Sequence, residues 1–213
     1  YRENDELGGF DPYSASKAAC EIAVSSWRSS FSENEEFYKY KINIATARAG
    51  NVIGGGDWAA NRIVPDIIKS LISSKKVIIR NPNSQRPWQH VLEPLEGYLL
   101  LAETITLGGK NYCQSYNFGP NPSSNKTVRE LVEKVFTIWP GDWINENNKE
   151  KVHESRLLKL QIEKSYQFLN WEPKWNFDKT ITKTVEWYKN VHHGSDPFQE
   201  VMKNIINYEI NNE

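Results

Sequence analysis

The sequence predicts an α/β protein, and three observations carry that reading. β-branched runs that read as buried strands alternate with segments of helical pattern along most of the 213 residues. The two kinds of segment are separated by Gly-, Pro- and Asn-containing turns rather than by long low-complexity tracts. The pattern opens on a helix, so the strands that begin such a sheet are expected upstream of Tyr1.

Each element has a local cause. Asp11-Pro12 supplies an N-cap and a first-turn proline for a helix running to about Ser30. After the polar stretch Ser32–Lys41, the run Ile42–Arg48 reads as a buried strand. Ala49–Asp57 holds Gly54-Gly55-Gly56 and is expected to be irregular. A helix follows over Arg62–Ser73, with Pro65 tolerated in its first turn. Lys76–Arg80 and Trp88–Leu92 read as strands around the turn Asn81-Pro82-Asn83-Ser84. Glu93–Thr106 reads as a helix with Leu95, Leu99, Ala102 and Ile105 as its apolar stripe. Ser115–Phe118 is a strand closed by Gly119-Pro120, and Thr127-Val128-Arg129-Glu130 is a capping box opening another helix. Helices are expected near Glu163–Leu169, over Asp178–Asn190 with Ile181, Val185 and Tyr188 on one face, and beyond Pro197.

Composition narrows the function classes. With 26 Lys+Arg against 27 Asp+Glu, the formal net charge is −1, which argues against nucleic acid or an anionic membrane surface as a partner. No apolar run approaches the roughly 20 residues that span a bilayer. Two cysteines, Cys20 and Cys113, are expected to be buried free thiols in the cytoplasm. They and the four His show no ligand spacing, so no metal site is expected. The single Met is Met202, and the opening Tyr1-Arg2-Glu3-Asn4-Asp5-Glu6 lacks a signal-peptide layout. The sequence is therefore expected to be a piece of a longer translation product, a processed mature chain being the alternative.

Three segments can carry chemistry. Tyr13-x-x-x-Lys17 places a phenol and an ammonium on one helical face. A free Tyr titrates near 10 and is a poor base at neutral pH; a neighbouring cation favours the phenolate and makes it a usable proton carrier. Such pairs also arise by chance in a chain rich in Tyr and Lys. Ser14, Ala15 and Ser16 leave room for a flat ligand, although small residues also simply pack. The second segment, Arg48-Ala49-Gly50-Asn51-Val52-Ile53-Gly54-Gly55-Gly56-Asp57-Trp58, follows a strand and so lies where ligands bind in open α/β sheets. A flexible turn is its plainer reading. In the third, Arg86-Pro87-Trp88-Gln89-His90, the Arg86 guanidinium could clamp a pyrophosphate, and Arg62 at a helix start could add positive potential. The plainer reading of each Arg is an exposed surface charge. Of the eight Trp, Trp171, Trp175 and Trp187 read as core anchors, while Trp58 and Trp88 are better placed for a ligand.

Taken together, these segments resemble the extended short-chain dehydrogenase/reductase superfamily from its Tyr-Lys helix to its C-terminus. The matching stretches are Leu7-Gly8-Gly9-Phe10-Asp11-Pro12-Tyr13-Ser14-Ala15-Ser16-Lys17, Ala47 through Trp58, Arg86 through Leu99, Tyr116-Asn117-Phe118-Gly119-Pro120 and Trp171-x-Pro173-x-Trp175. Within the superfamily the likeness is to the nucleotide-sugar 4,6-dehydratases, and Gly-Gly-Gly-Asp-Trp with Arg-Pro-Trp-Gln-His points to those acting on CDP-glucose. Relatives acting on dTDP-glucose typically carry Arg-Asp-Trp there.

The resemblance implies the second part of a Rossmann-type parallel sheet plus a smaller C-terminal α/β substrate-binding lobe. Residues 1–60 would complete the NAD-binding domain and 61–213 would form mainly the lobe, with about 86–118 returning to the sheet. It implies NAD as cofactor and conversion of CDP-D-glucose to CDP-4-dehydro-6-deoxy-D-glucose, in deoxysugar and O-antigen biosynthesis. Tyr13 would take the proton of the sugar 4-hydroxyl as hydride leaves C4. Lys17 would hold the nicotinamide ribose, and the Gly50 backbone would lie near the nicotinamide. The 4-keto group then acidifies C5, water leaves across C5 and C6, and the hydride returns to C6. Asn51, Arg62 and Arg86 would contact the nucleotide diphosphate, and His153-Glu154 would lie where relatives close over the substrate. A homodimer through the Tyr-Lys helix is implied as well.

Departures bear on the reading. The glycine-rich dinucleotide fingerprint and the acidic elimination residues are not in this sequence, so the chain alone is expected to be inactive. Gln161 stands where relatives often have Asp, and Asn170 where they often have Gly. A nucleotide-sugar epimerase of the same superfamily and a non-catalytic nucleotide-sugar-binding fragment remain the alternatives.

Overall fold

The computed structural model describes residues 1–9, 11–32, 42–145 and 159–210. Phe10, the stretch 33–41, and His153 and Glu154 lie outside the described residues. The structure is mixed α/β, and among the described residues three of the four strand pairs are parallel. The chain divides into two compact units.

The first unit comprises Tyr1–Ala49, Pro94–Phe118 and Leu160–Glu172. Its helix α1 spans Pro12–Trp27. Asp11 caps it as its sequence suggests: the carboxylate accepts from the Tyr13 and Ser14 amides, and the Ser14 hydroxyl accepts from the Asp11 amide. A π-helical turn over Arg28–Ser32 follows, so the regular helix stops short of Ser30. Strand β1, Thr46–Ala49, pairs in parallel with β6, Ser115–Phe118, in the register Arg48 to Asn117. The expected strand from Ile42 is thus shorter at its start. The unit's core is Leu101, Tyr116, Phe118, Leu169 and Trp171, with Tyr98 and Trp171 meeting the Phe118 ring edge-on. Helix α3, Leu92–Gly108, buries Leu101 and leaves Leu95 and Leu99 exposed, which corrects the expected stripe. Gly97 explains the rotation: Phe118 lies against its α-carbon, in space a side chain would fill. Helix α5, Glu163–Leu169, ends on Asn170 at φ +53°, a left-handed cap that Asn tolerates in place of the more usual Gly.

The second unit comprises Gly50–Glu93, Gly119–Lys159 and Pro173–Glu213. Its strands are β2 (Val52–Ile53), β3 (Val77–Ile79), β4 (Gln85–Pro87), β5 (Gln89–His90), β7 (Asn125–Thr127) and β8 (Trp143–Asn145). They pair β2–β5 and β3–β8 in parallel and β4–β7 antiparallel. Helix α2, Ile63–Ile72, contributes Val64, Ile67, Ile68 and Leu71 to the core. Helix α4, Val128–Ile138, starts at the Thr127/Glu130 capping box that its sequence predicts. Helix α6, Phe177–His192, buries Ile181, Val185 and Tyr188 on the expected face, and α7, Pro197–Ile210, closes the described chain. Trp88 is buried in this core and donates its indole N–H to the Lys126 carbonyl, so it anchors packing rather than facing a ligand. Of the two free thiols, Cys113 is buried as expected, whereas Cys20 is exposed on α1, because that helix buries no side chain fully.

Candidate active site

In the first unit, α1 presents the pair Tyr13 and Lys17. The Lys17 ammonium stands 5.6 Å from the centroid of the Tyr13 ring, the separation expected of an i,i+4 pair on one helical face. The Tyr13 side chain is exposed, as is Ser16 beside it, and the Ser16 hydroxyl turns inward to donate to the Tyr13 carbonyl at 2.7 Å. The helix therefore offers an open face bearing one phenol and one ammonium, with only small side chains between them. Hydrogen bonding to Ser14 holds the Asp11 carboxyl below its usual range, so the cap stays charged at the helix start.

One turn beyond Lys17 lies Glu21, a residue whose role the motif reading passed over. Its carboxylate receives Arg48 Nε at 2.8 Å and Arg48 Nη2 at 2.9 Å, with Thr46 Oγ1 at 3.0 Å and Ser115 Oγ at 3.2 Å. The Arg48 hydrogen bonds hold the Glu21 carboxyl below its ordinary value against the opposing effect of burial. The signal was available as spacing: Tyr13, Lys17 and Glu21 are successive i,i+4 positions.

In the second unit, Gly50 and Asn51 lead into β2, where the Asn51 carbonyl accepts the Gln89 amide at 3.2 Å. The glycine segment is clamped, not a free turn. The Tyr188 hydroxyl donates to the carbonyls of Gly54 at 3.2 Å and Asp57 at 2.7 Å, and burial pushes that phenol up to about 12. The Trp187 ring lies against Gly55, and Gly56 takes φ +90°, where a side chain would be strained. Trp58 remains half exposed, its ring edge-on to Tyr188 at 5.1 Å. Arg62 precedes α2 as its N-cap residue, largely exposed and in an ion pair with Asp57 at 3.2 Å. Arg86, in contrast, is buried on β4, its Nη1 donating to the Gln85 carbonyl at 2.9 Å. Arg62 is thus an exposed charge, whereas Arg86 is not.

His90 is also buried. Its Nδ1 accepts the Leu92 amide at 3.3 Å, its ring lies 4.8 Å from that of Trp175, and burial pushes its titration down to about 4. Beside it Glu93, fully buried, accepts from the Trp175 and Lys174 amides at 2.7 and 3.0 Å and from the Tyr208 hydroxyl at 2.8 Å. Among the described residues, no group of three His, Cys, Asp or Glu side chains is arranged to hold a metal, and no helix is long and apolar enough to cross a membrane.

An exposed Tyr-Lys helix beside a parallel strand pair defines a class. Residues 1–119 match the NAD dependent epimerase/dehydratase family, and the chain belongs to that family. It is a homologue of CDP-glucose 4,6-dehydratase from Salmonella typhimurium, with 43% identity over 198 residues, covering 92% of this chain and 55% of that protein. The dTDP-D-glucose 4,6-dehydratase of Homo sapiens is 27% identical over 202 residues, covering 88% of this chain and 53% of its own length. The chain spans about half the length of the curated relatives it matches. Among solved structures, dTDP-glucose 4,6-dehydratase from Bacillus anthracis in complex with NAD matches with a TM-score of 0.67 at 22% identity, covering 92% of this chain and 58% of that one. UDP-glucose 4-epimerase from Thermotoga maritima matches with a TM-score of 0.71 at 18% identity, covering 90% and 57%. Both likenesses show a shared fold.

Proposed function

We propose that this chain is the part of an NAD-dependent CDP-glucose 4,6-dehydratase that carries the catalytic helix and most of the substrate lobe. The observation that supports it best is the 43% identity to the Salmonella enzyme across 92% of the chain, together with the Tyr13–Lys17 pair on an open helical face. Turnover is assigned to a polypeptide that also carries an upstream dinucleotide-binding half. In this reading residues 1–60 complete the NAD-binding domain and 61–213 form mainly the substrate lobe, with about 86–118 returning to the sheet.

The exposed Lys17 ammonium and Tyr13 hydroxyl, with small residues between them, suit a nicotinamide ribose. NAD, when bound, supplies the reversible hydride chemistry. The chain's own residues manage protons and position. Tyr13 takes the proton of the sugar 4-hydroxyl, and the adjacent Lys17 charge stabilises the negative charge that develops on the phenol oxygen. Asn51, Arg62 and Arg86 are assigned to the nucleotide diphosphate, the Gly50 backbone to the nicotinamide, and His153 to closure over the sugar. A homodimer through α1, where Ile22 and Trp27 are exposed, and a cytoplasmic setting belong to the same reading.

The test is incubation of the full-length enzyme with NAD and CDP-, dTDP- or GDP-glucose, with mass analysis of the products. Loss of one water from the CDP sugar is the expected result. A product of unchanged mass and inverted C4 would replace this reading by the epimerase one, and no product with any of the three would sink it.

A further inference from the structure

The Glu21 carboxylate is where α1 is fastened to both strands of its unit. Arg48 and Thr46 reach it from β1 and Ser115 from β6. Glu21 and Arg48 are mostly shielded, with side chains 16% and 23% exposed. Arg48 spends its remaining terminal nitrogen on the Glu3 carbonyl at 3.2 Å. Because α1 buries no side chain fully, apolar packing does little to fix its rotation, and polar anchors matter more. A second anchor lies at its end, where Arg28 Nε donates to the Ile44 carbonyl at 3.1 Å.

Tyr13, Lys17 and Glu21 follow one another at single-turn steps, so Glu21 is an i,i+4 partner for Lys17 unless something else holds it. A shielded carboxylate without a cation seeks one strongly. Two other carboxylates of this unit are already engaged, Asp11 by Ser14 and Glu3 by the Asn117 amide.

We propose that Arg48 is a positioning residue for the Tyr13–Lys17 pair: by holding and neutralising the Glu21 carboxylate it leaves the Lys17 ammonium to Tyr13. The inference rests on the dehydratase reading for its effect on turnover, and on geometry alone for the fate of Lys17.

The experiment compares Arg48→Gln, Glu21→Gln and the double variant in the full-length enzyme. Arg48→Gln is expected to lower kcat about tenfold, with KM for the nucleotide sugar within about twofold. Glu21→Gln creates no competing charge and should cost at most about threefold. Combining the two should recover most of the turnover lost in Arg48→Gln, an outcome that a purely structural contact would not give. A double variant as slow as Arg48→Gln, or slower, overturns the proposal. Should Arg48→Gln not fold, Arg48→Lys substitutes: it keeps the charge and should retain turnover within about threefold, and a loss as deep as that of Tyr13→Phe overturns the proposal. A crystal structure of Arg48→Gln gives a readout independent of activity. Lys17 Nζ within about 4 Å of the Glu21 carboxylate supports the inference, and Lys17 still over the Tyr13 ring overturns it. Failure of the dehydratase reading looks different, since the unsubstituted full-length enzyme would then release no dehydrated CDP sugar.

Discussion

The Trp187 indole of α6 lies against Gly55, in the space that a side chain at that position would occupy. Trp187 is held there in turn by donating its indole N–H to the Pro197 carbonyl at 3.3 Å. The neighbouring Tyr188 hydroxyl ties down Gly54 and Asp57. The glycines of the Asp-Trp loop are therefore a packing requirement, imposed by a helix more than 120 residues later in the chain.

Gly55→Ala should destabilise the fold by about 2 kcal/mol through overpacking against the indole. Chemical denaturation measures it. A change below about 0.5 kcal/mol would mean that the loop is not clamped as described.

Glu93 is a fully buried carboxylate that accepts from two backbone amides and the Tyr208 hydroxyl. Glu93→Ala leaves those donors buried without an acceptor and should cost about 3–5 kcal/mol. Tyr208→Phe removes one hydrogen bond and should cost only about 1 kcal/mol. Equal losses in the two variants would contradict this account.

Stability should fall on mild acidification. Burial lowers His90 from its model-peptide value of 6.5 to about 4, so the unfolded chain takes up a proton that the folded one refuses. The stabilisation is fully present above about 6.5 and is lost as the pH falls from there toward 4; the difference between the two values is worth about 3 kcal/mol at most. Glu21, held below its usual value of 4.5, adds a further loss as the pH falls past that value. His90→Asn keeps an acceptor for the Leu92 amide but does not titrate, so its denaturation curves at neutral pH and near pH 4.5 should differ much less. An unchanged difference would remove His90 from the explanation.

Tyr13→Phe in the full-length enzyme should lower turnover by several orders of magnitude, about 10²–10⁴-fold, while calorimetry finds nucleotide-sugar binding near normal. Arg86→Ala should raise KM far more than it lowers kcat. Because Arg86 is buried, the same change should also lower the melting temperature, which the exposed Arg62→Ala should not.

Local chemistry explains which parts of the fold could be read directly. Asp11 before Pro12, the Thr127/Glu130 box and the face Ile181, Val185 and Tyr188 are each specified within a few residues, and all three appear as expected. The stripe expected on α3 failed because periodicity alone could not show that Gly97 is where Phe118 packs. Trp88 was misplaced for a similar reason. Its strand reads equally well with either face toward a core, and the Lys126 carbonyl that takes its N–H lies 38 residues away.

The sequence by itself determined the family, the helix starts and the Tyr13–Lys17 pair, since caps, breakers and i,i+4 spacing act through neighbours along the chain. Only the tertiary structure decided that the Gly54–Gly56 loop is clamped, that Arg86 and Glu93 are buried, and that Glu21 answers to Arg48 rather than Lys17. Those outcomes depend on which distant side chain fills a space or meets a charge, and contacts across 27 to 134 residues leave no periodic trace in the sequence.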